Sequence, residues 1–235
     1  MTKLGAAIGR KFAQANQKYV VVLNAGHGGN TDNDSYDPGS IAMMPDGTPI
    51  HEAEITHKMV AEIAVRVVAL GGAAPIIVNW GGVDTPQRSY FWELVQRCNA
   101  AGGDFLISHH TNALNGIAPP AGKLTDTEAN VTGTFSMYAS EHGRVMANYT
   151  SLCTTQALGG NRTLRKDQQV AKGQRGALLL TDTVQYATLV EHCYPTNKYE
   201  STLLFANWRQ LIDNHARYVV HLQNFGVGTA DRFVL

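Results

Sequence analysis

Asp104–Asn112 reads Asp-Phe-Leu-Ile-Ser-His-His-Thr-Asn, a short apolar run that ends abruptly in two histidines. Two other stretches follow the same plan. Tyr19–His27 is Tyr-Val-Val-Val-Leu-Asn-Ala-Gly-His, and Ala187–His192 is Ala-Thr-Leu-Val-Glu-His. Each run is of strand length and finishes in a side chain that can ligate a metal or move a proton. Continuous apolar runs suit strands buried on both faces, the habit of parallel sheets in α/β proteins. Parallel strands bring their C-terminal ends to one edge, where open α/β sheets hold their ligands. His27, one of His109 and His110, and Glu191 are therefore expected to converge although they lie far apart in the chain.

The segments between these runs supply the helices a parallel sheet needs. Ile55, Met59, Ile63 and Val67 repeat every four residues, which predicts a helix over Glu52–Leu70 closed by Gly71-Gly72. Glu52 and Glu54 fall in its first turn, where the helix macrodipole favours carboxylates whatever else they do. Pro75–Asn79 reads as the next strand. Thr85-Pro86 starts a helix that buries Phe91, Leu94, Val95 and Cys98. Thr134–Tyr138 reads as a short strand, and Ser140 caps a helix carrying Val145, Met146, Tyr149, Leu152 and Cys153. Thr202–Leu222 is expected to be one final helix, and residues 2–18 an N-terminal helix packed on the sheet. The fold class is thus α/β, a single domain over residues 1–235 with a mainly parallel twisted sheet flanked by helices on both faces. No internal repeat and no domain linker is visible.

Composition sets bounds on function. The chain has 235 residues, 44% apolar and 16% charged, enough to bury a substantial core. Its formal net charge is zero, which argues against a domain-wide nucleic-acid footprint. Three scattered cysteines do not form a disulfide framework. No apolar run approaches the ~20 residues that span a bilayer, so stable membrane insertion is not expected. The first twelve residues lack the apolar core of a signal peptide. Local charge is uneven: Arg162, Arg165, Lys166, Lys172 and Arg175 stand against only Asp167 within 161–175. That stretch is either a solvated loop or a surface that meets an anionic substrate. Leu114–Gly133 is a long irregular insertion of the kind that forms lids or substrate walls.

The chemistry on offer is hydrolytic. A catalytic zinc site needs three protein ligands and one open position, and two histidines with one carboxylate are a common set. His27, Glu52 or Glu54, and His110 or His109 can supply it, with Glu191 as the base. Adjacent strand residues face opposite ways, so only one of His109 and His110 can point at the site. Two rivals are weaker. Cys193 beside His192 suggests a thiol nucleophile, but strand neighbours make a poor dyad. The Asp-rich stretch 30–39 lacks the sixth-position Gly and twelfth-position Glu of a calcium loop.

Taken in order, Val-Val-Leu-Asn-Ala-Gly-His-Gly-Gly, Asp-Pro-Gly, a Glu at a helix start, Ser-x-His-x-Asn and Leu-Val-Glu-x-x-x-x-x-Asn resemble the zinc-dependent N-acetylmuramoyl-L-alanine amidases of the type-3 family. The likeness runs from about Val20 to Asn197. It implies one catalytic Zn²⁺ and peptidoglycan as substrate, cut between N-acetylmuramic acid and the L-alanine of the stem peptide. Carried over motif by motif, it implies His27, Glu52 and His110 as metal ligands and Glu191 as the catalytic residue. Asn112, Arg162 and Arg175 are expected substrate contacts. This chain departs from the family in an insertion at Asn30–Tyr36, and in Glu-His-Cys-Tyr where Glu-x-Gly-Phe is usual. With neither an export signal nor a wall-binding repeat, a bacteriophage or prophage endolysin is expected, made in the host cytoplasm and acting on the wall after release. A zinc peptidase cutting within the stem peptide and a non-catalytic sugar- or nucleotide-binding module are the alternatives.

Overall fold

A computed structural model describes residues 18–29, 36–44, 46–79, 91–113, 131–158, 168–169 and 178–227. The three apolar runs become adjacent parallel strands: β1 (Val21–Ala25), β5 (Phe105–His110) and β8 (Tyr186–Glu191). Between them in the chain lie β2 (Ile41–Met43), β3 (Pro49–His51), β4 (Ile76–Ile77), β6 (Phe135–Tyr138) and β7 (Gln168–Gln169). The main sheet runs β4-β1-β5-β8-β6-β7, and β2 pairs with β3 in a separate antiparallel hairpin. Within the main sheet β6 runs antiparallel to β8, and every other pairing is parallel. The sheet is therefore mixed and mostly parallel.

Helices cover both faces because each central strand is apolar on both sides. On one face α1 (Glu52–Ala69), α3 (Glu141–Leu158) and α6 (Trp208–Phe225) pack Ile55, Met59, Ile63, Met146, Leu211 and Leu222 onto Val21, Leu23, Phe105, Ile107 and Val190. On the other, α2 (Phe91–Ala101) and α4 (Leu178–Thr181) bring Leu94, Val95, Cys98, Leu179 and Leu180 to Val22, Leu106, Ala187 and Leu189. The remaining helix, α5 (Lys198–Ala206), is capped by Asn197, whose side chain accepts from the N–H groups of Tyr199 and Glu200. Ser140 Oγ accepts from the Gly143 N–H at the start of α3, as its sequence suggests.

Two expectations shift. The strand expected over Pro75–Asn79 shrinks to Ile76–Ile77 at the sheet edge, where Pro75 has no N–H to donate to the ladder. The single final helix divides into α5 and α6 at Asn207, which leaves helical dihedrals at φ −109 and ψ 19 while its side-chain amide competes with its own N–H for the Leu203 carbonyl. The expected helix over 2–18, apart from Lys18, lies outside the described residues, as do residues 114–130 of the insertion and all of 161–175 but Gln168 and Gln169. No described helix is long and apolar enough to cross a membrane.

Candidate metal centre

Four elements deliver side chains to the C-terminal edge of the sheet. β1 runs out through Gly26 into His27, which sits at φ 61. A non-glycine residue in this left-handed region carries strain of about 1–3 kcal/mol, which neighbouring contacts must hold in place. They do: Gly26 N–H donates to the His109 carbonyl at 2.8 Å, and Gly28 N–H to the Asp37 carbonyl at 2.9 Å. A methyl group on Gly26 would overlap the His110 ring, and one on Gly39 would meet both Glu52 and His27. Glycine is needed at both positions so that the backbone can pass this close.

α1 delivers Glu52. It is 2% exposed, and its Oε1 accepts from Thr111 N–H at 2.8 Å while Oε2 accepts from Ser40 N–H at 2.9 Å. Glu54, two residues on, turns back to the His51 N–H at 3.4 Å and closes the capping box. The two first-turn acids thus divide the work, one to the site and one to the helix start. The choice between the paired histidines is decided by the sheet's two faces. His110 follows Leu106 and Ser108 to the outer edge, whereas His109 follows Phe105 and Ile107 into the face under α1, α3 and α6.

His27, Glu52 and His110 come together. Glu52 Oε1 lies 3.4 Å from His27 Nε2 and 3.2 Å from His110 Nδ1, and all three ligand atoms lie within 4.8 Å of one another. Zinc bonds of about 2.0–2.1 Å in tetrahedral array place ligand atoms roughly 3.3 Å apart. The two-nitrogen, one-oxygen donor set and its spacing therefore fit one Zn²⁺. His27 Nδ1 lies 3.0 Å from Asp37 Oδ2, the carboxylate–histidine arrangement that orients a metal-binding imidazole. Asp37, Ser40 and Thr111 were not singled out from the sequence as site residues. Asp37 sits in the visible Asp-Pro-Gly motif, while nothing local marks Ser40 or Thr111, which act largely through backbone N–H groups.

Glu191 ends β8 directly opposite His110 in the ladder. Its Oε2 is buried with no hydrogen-bond partner among the described residues. Burial first, and the Glu52 charge second, push its carboxyl up to about 8 against the pull of His27. His27 moves the other way. Burial opposes its charge, but the carboxylates of Glu52, Asp37 and Glu191 outweigh it and raise the imidazole to about 9. Burial dominates at His110 and lowers it despite Glu52. Glu52 itself is lowered: burial works against ionisation, but His27 and then His110 prevail.

The remaining candidates separate clearly. Asn112 follows β5 by two residues, its N–H donating to the Cys193 carbonyl at 2.8 Å and its Oδ1 accepting from Ala113 N–H. Arg162 and Arg175 lie outside the described residues. Cys193 and Cys153 are fully buried in one core and Cys98 in the core on the other face, which leaves no exposed thiol nucleophile.

Comparison with known proteins follows the same lines. The model of a family described as N-acetylmuramoyl-L-alanine amidase matches residues 21–217. No curated protein matches the chain significantly. Among solved structures, the catalytic domain of CwlV, an N-acetylmuramoyl-L-alanine amidase from Bacillus (Paenibacillus) polymyxa var. colistinus, is 19% identical, with a TM-score of 0.58 over 86% of this chain and 94% of that one. The N-acetylmuramoyl-L-alanine amidase AmiC2 of Nostoc punctiforme is 18% identical, with a TM-score of 0.58 over 88% of this chain and 96% of that one. The catalytic domain of an endolysin targeting Clostridia difficile is 15% identical, with a TM-score of 0.60 over 88% of this chain and 99% of that one. At these identities the likeness is one of fold.

Proposed function

The chain belongs to the N-acetylmuramoyl-L-alanine amidase family, and from that premise we propose how its residues divide the work of a zinc-dependent peptidoglycan amidase. The bond cut is the amide between the lactyl group of N-acetylmuramic acid and the L-alanine of the stem peptide. The observation that carries this reading is the His27–Glu52–His110 spacing with Glu191 Oε2, buried and without a hydrogen-bond partner among the described residues, on the neighbouring strand end.

His27, Glu52 and His110 are the metal ligands in this reading. Zinc held there supplies Lewis-acid polarisation of the amide carbonyl and a water of lowered pKa. Glu191 takes a proton from the attacking water and returns it to the leaving nitrogen, so that a carboxylate and a free L-alanine amine result. Its ionised form is favoured once the charge of Glu52 is offset by a cation. Asp37 keeps the His27 ring oriented with Nε2 towards the triad. Asn112 is proposed as a substrate contact, and Arg162 and Arg175 are proposed to meet stem-peptide carboxylates. We further propose that this is a phage or prophage endolysin. Such a protein is made in the host cytoplasm and meets the wall after release.

Mass spectrometry of fragments released from purified peptidoglycan tests the reaction. Stem peptides beginning at L-alanine, lost with a chelator and regained with Zn²⁺, are expected. Metal-dependent cuts inside the stem would move the activity to a peptidase. No metal-dependent release would leave a binding module.

A further inference from the structure

Behind the candidate centre lies a second group of histidines with no part in the reaction as derived. His109, His192 and His215 are at most 1% exposed; His192 and His215 meet at the fully buried Thr154, and His109 joins them through His192. His109 Nδ1 lies 2.9 Å from His192 Nε2. Thr154 Oγ1 lies 2.8 Å from His192 Nδ1 and 3.0 Å from His215 Nε2. The His109 and His192 rings are 5.2 Å apart and nearly coplanar in tilt, at 12°. His215 stands edge-on to both.

Proton counting gives this chain one direction. The three rings are at most 1% exposed and the hydrogen bonds above join them only to one another and to Thr154, so a buried charge there is disfavoured and each ring is assigned neutral. Each neutral ring carries one N–H. The Thr154 hydroxyl donates to the Thr150 carbonyl at 3.1 Å, which leaves its oxygen as an acceptor. It therefore accepts from His192 Nδ1–H and from His215 Nε2–H. His192 Nε2 is then bare and must accept from His109 Nδ1–H. The atoms left over are His109 Nε2 and His215 Nδ1, and these are the ring nitrogens without a partner among the described residues. Reversing the chain would turn the His109 Nε2 lone pair into an orphaned buried N–H, the rarer and costlier fault.

The placement of this chain matters more than its existence. His109 is bonded to ligand His110, and His192 is bonded to Glu191. The two side chains that link across the strands thus belong to the residues next to the ligand and the base, on the opposite face of the sheet. The backbone repeats the link, with His192 N–H donating to the His110 carbonyl at 3.0 Å. We propose that the directed chain His109→His192→Thr154←His215 is a positioning device that fixes the separation of His110 and Glu191. His109 and His192 are positioning residues, acting through their neighbours without touching substrate. The proposal rests on the roles given above to His110 and Glu191.

The test uses the zinc-loaded full chain. Nitrogen NMR of the imidazoles should show His109 and His192 protonated on Nδ1 and His215 on Nε2, and any other pattern overturns the chain. His109→Leu should lower kcat on the order of tenfold to a hundredfold, with KM and zinc affinity nearly unchanged. His109→Asn places an amide N–H near the Nδ1 position and should restore most of the loss. A merely structural role predicts that zinc content, KM and thermal stability fall together and that Asn rescues no better than Leu; that result overturns the proposal, as does His109→Leu with wild-type kcat. If His109→Leu does not fold, Thr154→Val replaces it. That variant keeps the side-chain shape, removes the shared acceptor, and should show the same kcat loss at unchanged KM; wild-type kcat in it overturns the proposal. A wild-type chain without zinc-dependent turnover would defeat the amidase reading, and the NMR pattern would still decide the imidazole chain separately.

Discussion

At Glu191, holding a metal and moving a proton can be separated by a single atom change. Glu191→Gln keeps the shape of the side chain and removes its titrating oxygen. Zinc content after dialysis should equal that of the wild type, because the ligand atoms belong to His27, Glu52 and His110. Turnover should fall by about 10²–10⁴-fold, the usual worth of a positioned acid–base group; near-normal turnover would remove Glu191 from its role. His27 supports a second expectation. In the metal-free site its imidazole is raised to about 9, so it is protonated at neutral pH. Zinc needs the bare Nε2, and binding must release that proton. Zinc affinity should therefore climb at least tenfold per unit as pH rises through neutrality, since Glu191, raised to about 8, also gives up its proton when a cation binds, and level off above about 9. Titration calorimetry in buffers of different ionisation enthalpy counts the protons directly, and a count of zero would contradict the shift.

The elements carry what the sequence made legible and what it hid. β1, β5 and β8 were readable because each is an unbroken apolar run closed by a chemically active residue, and α1 because its four-residue repeat is uninterrupted. Which of His109 and His110 faces the site was not readable. Alternation says only that they oppose each other, and the answer depends on which helices cover which face. The antiparallel direction of β6 has no local signature either. The break at Asn207 is hidden because apolar spacing continues across it, while the local departure from helical dihedrals has no apolar signature. His215, on α6, shows how an element can be tied to pH. Burial lowers it from 6.5 to about 3 in the folded protein, so below pH 6.5 the unfolded chain takes up a proton that the folded one refuses. Stability is thus fully present above about pH 6.5 and erodes by up to about 1.4 kcal/mol per unit as pH falls towards 3. His215→Gln can keep a donor to Thr154 and does not titrate. Urea unfolding at pH 7 and pH 5 should show a smaller acid loss in the variant than in the wild type, and equal losses would contradict the assignment.

Across the whole molecule, the candidate centre is assembled from residues 27, 52 and 110, which only the folded sheet and α1 bring within 4.8 Å. Sequence order alone cannot create that proximity; it could be anticipated because parallel strands share one edge, whereas the contributions of Ser40 and Thr111 depend on how the connecting loops close over Glu52. The unfolded chain has no such cluster, so zinc binding to the folded state adds directly to stability. At free zinc a hundredfold above the dissociation constant the gain is about 2.7 kcal/mol. For a chain of 235 residues, each kcal/mol moves the melting temperature by about 2–4 °C. The expected rise on adding zinc to chelator-stripped protein is therefore about 5–10 °C by scanning calorimetry. Glu191→Gln should keep this rise, since it leaves every ligand in place. His110→Ala should abolish it, since one corner of the triad is gone. If His110→Ala kept the full shift, the stabilising zinc would have to be held elsewhere, and the assignment of the sheet-edge triad as the metal centre would fail.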